Sequence, residues 1–236
     1  MTRAILLAAG FGTRLKPLTD TTPKCLVPIG DSPLLDLWLT KLGDLGVSEI
    51  LVNTHYLHSQ VEDFVSASRF AFMVKLVFEP KLLGTARTIW ENRDFIGGET
   101  TLVIHADNYS EDSLRGLLAA HSSRPIQCLI SMLAFRTEHP QTCGILEVDQ
   151  NGVMTSFIEK PKQSNSNLAN AAIYCISPEF VSTLEGKNDL STEVLPNLIN
   201  QALVHETKDV LIDIGKLDSY ESAQSARWMS IRNSTI

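Results

Sequence analysis

The sequence predicts an α/β protein in which a mixed, mostly parallel sheet is flanked by helices. Over residues 1–124, continuous apolar runs alternate with stretches of helical spacing, the rhythm of βαβ units. From about residue 125 the chain becomes β-rich and carries a hairpin signal. A length of 236 residues with 44% hydrophobic content suits one sizeable domain. A single domain over 1–236 is therefore expected, with a β-richer lobe over 125–215 and a closing helix over 216–236.

The elements follow in order. RAILLAA (3–9) is a continuous apolar run, as a strand buried on both faces should be. SPLLDLWLTKLGDLG (32–46) has helical spacing, with Ser32 as N-cap, Pro33 in the first turn and Gly43 or Gly46 near the end. Its Trp38, Leu42 and Leu45 stripe reads as core. EILVNT (49–54) is a strand, LHSQVEDFVSA (57–67) a helix and MVKLVFE (73–79) a strand. GTARTIWEN (84–92) starts a helix, TTLVIHAD (100–107) is a strand and SEDSLRGLLAAHSS (110–123) an amphipathic helix. IQCLISMLAF (126–135) is a long strand. GILEVDQNGVMTSFIEK (144–160) reads as two strands about a two-residue Asn151-Gly152 turn. KQSNSN is a loop, LANAAIYCIS (168–177) a strand, and helices are expected at 178–185 and 192–202. DVLIDIG (209–215) is a late strand and KLDSYESAQSARWMS (216–230) the closing helix.

Charge narrows the partners. The net charge of -7 argues against nucleic acid. Residues 1–30 hold Arg3, Arg14, Lys16 and Lys24 against Asp20 alone, a local excess that suggests a small anionic ligand. The spacings of Cys25, Cys128, Cys143 and Cys175 match neither a zinc site nor a redox pair, so reduced thiols are expected. With no apolar run long enough to span a bilayer, a soluble cytoplasmic protein without a membrane partner is expected.

The basic excess falls in the loop after the first strand, LLAAGFGTRLKPLTDTTPKCLVPIG (6–30). A glycine-bearing loop leaving a buried strand can turn backbone N–H groups toward a phosphate. Gly10 and Gly12 would let the backbone approach it, Arg14 offers a planar fork and Lys24 a point charge. A dinucleotide fingerprint would need a third glycine where Leu15 stands, and a Walker loop is absent. Loop chemistry alone leaves an anion site and a structural turn about equally open.

The whole string resembles the signature of sugar-1-phosphate nucleotidyltransferases, the nucleotide-sugar pyrophosphorylases. Gly10, Gly12, Thr13, Arg14, Leu15, Pro17, Leu18, Thr19, Pro23 and Lys24 match its pattern, while Cys25 replaces the usual proline. Further segments fit in the expected order: EPKLLGTART from Glu79, IHADN with Asp107, CGILEVDQNGVMTSFIEKP, NLANAAIYCIS and LIDIGKLDSY with Asp213. Ala106 and Ala172 stand where glycine is usual. The resemblance implies a Rossmann-like fold, here without the C-terminal β-helix of larger members. It also implies a nucleotide-binding half over 1–124 and sugar-binding residues in the lobe.

The activity implied is transfer of a nucleotidyl group from an NTP to a sugar 1-phosphate, releasing pyrophosphate. The resemblance assigns Leu7, Ala8, Ala9, Gly10, Gly12, Thr13, Arg14, Lys24, Glu79, Gly84 and Thr85 to the nucleotide. Gly144, Glu159, Lys160 and Asn170, with Asp107, are assigned to the sugar phosphate. Arg14, Lys24 and Asp107 are the implied catalytic residues, and Asp107 with Asp213 the implied Mg²⁺ ligands. The pattern looks closest to short mannose- or heptose-1-phosphate guanylyltransferases, partly because a glutamine expected opposite uracil is missing from 79–86. Uridylyl transfer, cytidylyl transfer to a non-sugar phosphate such as phosphocholine, and a non-catalytic regulatory homologue are the alternatives. A homodimer is a family-level expectation.

Overall fold

The computed structural model describes residues 1–233. Strands and helices run in the order β1 (Thr2–Leu7), β2 (Pro28–Ile29), β3 (Ser32–Pro33), α1 (Leu34–Asp44), β4 (Glu49–Thr54), α2 (His58–Ala67), β5 (Val74–Phe78), α3 (Thr85–Glu91) and α4 (Arg93–Ile96). There follow β6 (Thr100–His105), β7 (Asn108–Ser110), α5 (Arg115–Ser122), β8 (Ile130–Arg136), β9 (Gly144–Val148), β10 (Met154–Glu159), β11 (Leu168–Ile176), β12 (Ala202–Glu206), β13 (Leu211–Asp213) and α6 (Leu217–Asn233). Among the described residues no helix is long and apolar enough to cross a membrane.

The chain divides into two compact units, each assembled from several segments. The first comprises Met1–Ile5, Leu83–Ile104 and Ser113–Lys208. Its strands run in the order β10-β9-β11-β6-β1, and β8 pairs with β11 and β12. Strand β11 is antiparallel to β6, β8 and β9, whereas β12 is parallel to β8. Helix α5 packs on β8, β11 and β12. Leu102, Val103, Ile104, Ile130, Met132 and Ile173 are almost wholly buried there.

The second unit comprises Leu6–Leu82, His105–Asp112 and the chain from Asp209 onward. Strand β1 enters it at Leu6 and has β4 as its neighbour, with β5 parallel beyond. Ile50, Leu51 and Val52 are successive and all fully buried, so both faces of β4 are covered, as its unbroken apolar run implies. A separate two-stranded ribbon pairs β7 with β13, and a second pairs β2 with β3. Helix α2 packs on β5, and α6 packs on β13 and β2.

Several local expectations need correction. Ser32 does not cap α1: it lies in β3, opposite Ile29, and its hydroxyl turns to Asp31. The β9–β10 connection is five residues, 149–153, because Val148 pairs with Met154. Asp149 organises it by accepting from Asn151 N and Val153 N, while Gly152 takes a positive φ of 77°. The helix expected from 110 starts only at Arg115, since Asn108–Ser110 is spent on β7. No α-helix fills 178–185 or 192–202. A 3-10 stretch covers Pro178–Leu184, a π-helical turn Leu190–Val194 and a 3-10 turn Leu195–Asn197. Pro196 removes a helical donor there, and the unforeseen β12 then begins at Ala202.

One buried group sets an acid limit on this fold. His121 of α5 is 2% exposed, its Nδ1 lies 3.0 Å from Ser131 Oγ, and its Nε2 is buried with no partner. Burial, reinforced by the Arg124 charge, pushes its pKa down to about 4. Between pH 6.5 and 4 the unfolded chain therefore binds a proton that the native state refuses. Stability should fall on acidification through that window by up to ~3 kcal/mol from this group. Chemical denaturation from pH 7 to 4 checks this, and the His121→Gln variant should show a shallower slope.

Candidate active site

The second unit gathers the basic loop and two aspartates. Beyond β1, Ala8 N–H donates to Asn53 Oδ1 at 2.7 Å, and Asn53 Nδ2 donates to Glu79 Oε1 at 2.9 Å. Asn53 and Glu79 are both buried. The backbone of Glu79 is fixed in turn by Thr54 O, and its carbonyl lies 2.7 Å from His55 Nδ1, which must carry the proton to donate there. A buried polar chain thus fixes where the loop leaves the sheet.

The loop then folds through three 3-10 turns, Thr13–Leu15, Leu18–Asp20 and Lys24–Leu26. Gly12 has φ 65°, and a Cβ there would lie 2.8 Å from Thr19 Cγ2 and 3.2 Å from Lys24 Cβ. Thr19 Oγ1 donates to Gly12 O at 2.8 Å, closing the same turn. Glycine is required at 12 on two counts, backbone angle and space. A Cβ on Gly10 would meet nothing within 4 Å. Leu7 and Ala8 are half-buried, Ala9 is buried, and Gly10, Thr13 and Arg14 are exposed.

Lys24 is only 6% exposed, and two carboxylates converge on its ammonium. Nζ donates to Asp107 Oδ2 at 2.7 Å and to Asp213 Oδ1 at 3.5 Å. The aspartate side chains are 41% and 57% exposed. The two arrive from the β7–β13 ribbon. Asp107 immediately precedes β7, Asp213 closes β13 opposite Asn108, and Ile214 N donates to Asp107 O at 3.3 Å. Burial pushes the Asp107 carboxyl up, but Lys24 and His105 outweigh it and hold the group below the usual carboxylate value. It is ionised at neutral pH.

Arg14 joins the same cluster. A Cβ on Gly215 would lie 2.9 Å from Arg14 Nη2 and 3.0 and 3.1 Å from the Asp213 carboxylate oxygens. Gly215 is therefore the floor beneath this pair, and a side chain there would push the free ends of both Arg14 and Asp213. Cys25 and Ala106, which depart from the usual pattern, are both buried. Burial pushes the Cys25 thiol up to about 12, so it is an inert core group. Ala106 is buried, and its N–H donates to Leu7 O at 3.0 Å.

The first unit holds the remaining expected residues. Glu159 pairs with Gly144 across β9 and β10, and a Cβ on Gly144 would lie 2.8 Å from Glu159 Oε2 and 2.6 Å from Phe157 Cζ. Lys160 Nζ sits 3.2 Å from Glu159 Oε1, on a backbone with φ 47°. Asn170 Nδ2 donates to Tyr174 Oη at 2.7 Å, and its Oδ1 accepts from Ala172 N. Asn170 therefore braces a β11 irregularity in which Ala172 has φ 53°, a conformation that suits the glycine usual there. Gly84, with φ 91°, and Thr85 lie against 188–190. A Cβ on Gly84 would strike Asn188 O, Ala86 N donates to Asn188 O, and Leu190 N donates to Thr85 Oγ1 at 2.8 Å.

The structure thus brings Arg14, Lys24, Asp107 and Asp213 together in one unit and Gly144, Glu159 and Lys160 together in the other. Reading the sequence did not single out Asn53, and it noted Thr19 and Gly215 only as members of matched strings, without the parts their neighbours in space give them. Among the described residues no group of three or more His, Cys, Asp or Glu could hold a metal by itself. The Asp107–Asp213 pair nevertheless suits Mg²⁺, which takes one or two carboxylates and completes its shell with water and substrate phosphates.

The chain belongs to the nucleotidyl transferase family, whose profile matches residues 3–228. It is 32% identical over 219 residues to a Sulfolobus acidocaldarius protein provisionally named a mannose-1-phosphate guanyltransferase, covering 91% of this chain and 60% of that one. It is 27% identical to the UTP–glucose-1-phosphate uridylyltransferase of Synechocystis, covering 98% of this chain and 62% of the relative. The chain thus spans about three fifths of the length of these curated relatives. The crystal structure of HddC from Yersinia pseudotuberculosis complexed with GMP-PN superposes with a TM-score of 0.80 at 25% identity, covering 95% of this chain and 99% of that one.

Replacing Gly215 tests the site's floor. Gly215→Ala should leave the far-ultraviolet circular dichroism unchanged and lower kcat/KM about tenfold or more, because a small displacement of positioned groups costs rate steeply.

Proposed function

We propose that this chain transfers a nucleotidyl group from an NTP, GTP best, to a mannose- or heptose-type sugar 1-phosphate. One observation carries the reading: a buried lysine held between two aspartates of a single ribbon, beside the exposed arginine of a glycine-bearing loop. The sugar phosphate oxygen is already a nucleophile at neutral pH. It forms a bond to the α-phosphorus as the bond to the β-phosphate oxygen breaks and pyrophosphate leaves. The obstacle is repulsion between two anions, so catalysis is positioning and charge neutralisation.

Each residue has a part in this account. The loop from Leu7 to Thr13 presents its backbone to the nucleotide. Arg14 grips the departing pyrophosphate with its planar fork, and Lys24 stabilises charge at the transferring phosphorus. Asp107 and Asp213 would hold Mg²⁺, which when bound neutralises phosphate charge. Glu159 takes sugar hydroxyls, Lys160 the sugar phosphate, and Gly144 leaves room for the ring; Asn170 stands behind them as a brace. Gly84 and Thr85 serve the nucleotide by shaping their segment.

The base preference rests on 79–86, which lacks the glutamine expected opposite uracil. Glu79 itself is buried and its carboxylate accepts from Asn53, so it supports the loop rather than meeting the base. The Sulfolobus relative's name and the guanine nucleotide in the HddC title point the same way. Uridylyl transfer is the second reading, favoured by the Synechocystis relative.

Pyrophosphate release with Mg²⁺ tests this, crossing five NTPs with mannose, heptose, glucose and N-acetylglucosamine 1-phosphates. GTP with a mannose- or heptose-type acceptor should dominate, and Lys24→Ala should lower that turnover by about 10²-fold or more. Turnover with UTP alone would favour the second reading. No turnover with any pair would refute both.

A further inference from the structure

Among the described residues β7 pairs with β13 alone, and α1 covers the outer edge of β7 with side chains. Trp38 Nε1 donates to Asn108 O at 2.9 Å. Lys41 Nζ donates to Ser110 O at 2.9 Å and to Asp112 O. These three carbonyls alternate along the chain, so they share one edge. The other edge faces β13, where Glu111 N donates to Val210 O and Tyr109 stands opposite Ile212. Trp38 is 2% exposed, and the Lys41 ammonium lies 5.6 Å from the centre of its ring.

The lysine is costly at this place. Burial pushes its pKa down to about 8, against the opposing pull of Asp112, Glu111 and Asp209, with Arg227 adding to the burial effect. An apolar residue of the same length would spare that cost but take the ammonium donor away from both carbonyls. A lone two-stranded ribbon is marginal by itself. Here one end of that ribbon carries both Asp107 and Asp213.

We propose that Trp38 and Lys41 are positioning residues: by holding the outer carbonyls of β7 from α1, they set the spacing of the Asp107 and Asp213 carboxylates for a divalent cation. Neither touches a reacting atom. The inference rests on the reading of those aspartates as metal ligands, and its experiment separates the two.

Mn²⁺ alone is titrated into the full chain and followed by electron paramagnetic resonance, for the wild type, Lys41→Met and Lys41→Arg. Amide exchange is measured on the same proteins. Lys41→Met should raise the Mn²⁺ dissociation constant about tenfold and speed exchange at 108–112 and 211–213, with β4 amides unchanged. Lys41→Arg, which restores charged donors, should recover at least half of the lost affinity. Faster exchange with wild-type Mn²⁺ affinity would make the contact merely structural and overturn the inference, as would unchanged exchange. A wild type that binds no Mn²⁺ would overturn the ligand reading itself, and this inference with it. A global rise in exchange for Lys41→Met moves the test to Trp38→Phe, which removes one donor and keeps an aromatic, though smaller, side chain; unchanged Mn²⁺ affinity there would be equally fatal.

Discussion

A buried ammonium needs an anion beside it, and the second unit is organised around that need. Lys24 is nearly inaccessible, and the cost of taking its charge out of water is met by Asp107 at 2.7 Å and, more loosely, by Asp213. Two carboxylates face the one buried cation, and with Arg14 in the same cluster the formal charges balance. The exposed Arg14 supplies positive charge on the same side, above Gly215. Moving any one of these groups changes what the others face.

The surrounding structure can be read as support for that arrangement. Gly12 is tucked against Thr19 and the base of the Lys24 side chain, so the turn that begins the loop also fixes where the lysine emerges. The Ala8–Asn53–Glu79 chain ties the loop's start to β4 and to the end of β5. Asp107 and Asp213 are far apart in sequence but share one ribbon, which makes their separation a property of strand pairing rather than of two independent loops. In the first unit, Gly144 plays for Glu159 the part that Gly215 plays for Asp213: each glycine is a place where a carboxylate lies against the backbone.

Much of this was legible in the sequence because its signals are local. The unbroken apolar run of β4 and the helical spacing of α1, α2 and α6 reflect burial patterns that repeat within one element. What escaped were features set by partners distant in the chain. β12 is five residues long and exists through its pairing with β8, and β7 exists through β13 and α1. The Asp149 loop widened a turn that Asn151-Gly152 alone would have made tight. At the site, Arg14, Lys24 and the aspartates were legible through the long loop pattern, whereas Asn53 and Gly215 reveal their parts only when their neighbours in space are known. Asn170 and Thr85 were read as ligand contacts; in the structure Asn170 bonds the Tyr174 hydroxyl and the Ala172 N–H, and Thr85 Oγ1 accepts from Leu190 N.

The most direct test of the central claim is a double-mutant cycle on the Lys24–Asp107 pair. Turnover would be compared for the wild type, Lys24→Met, Asp107→Asn and the double variant, with folding checked for each. Groups that act as one unit lose their effect together, so the double variant should be within about threefold of the slower single variant. Losses that multiply, leaving the double variant slower by the product of the two single effects, would show that the lysine and the aspartate act independently and would contradict the account.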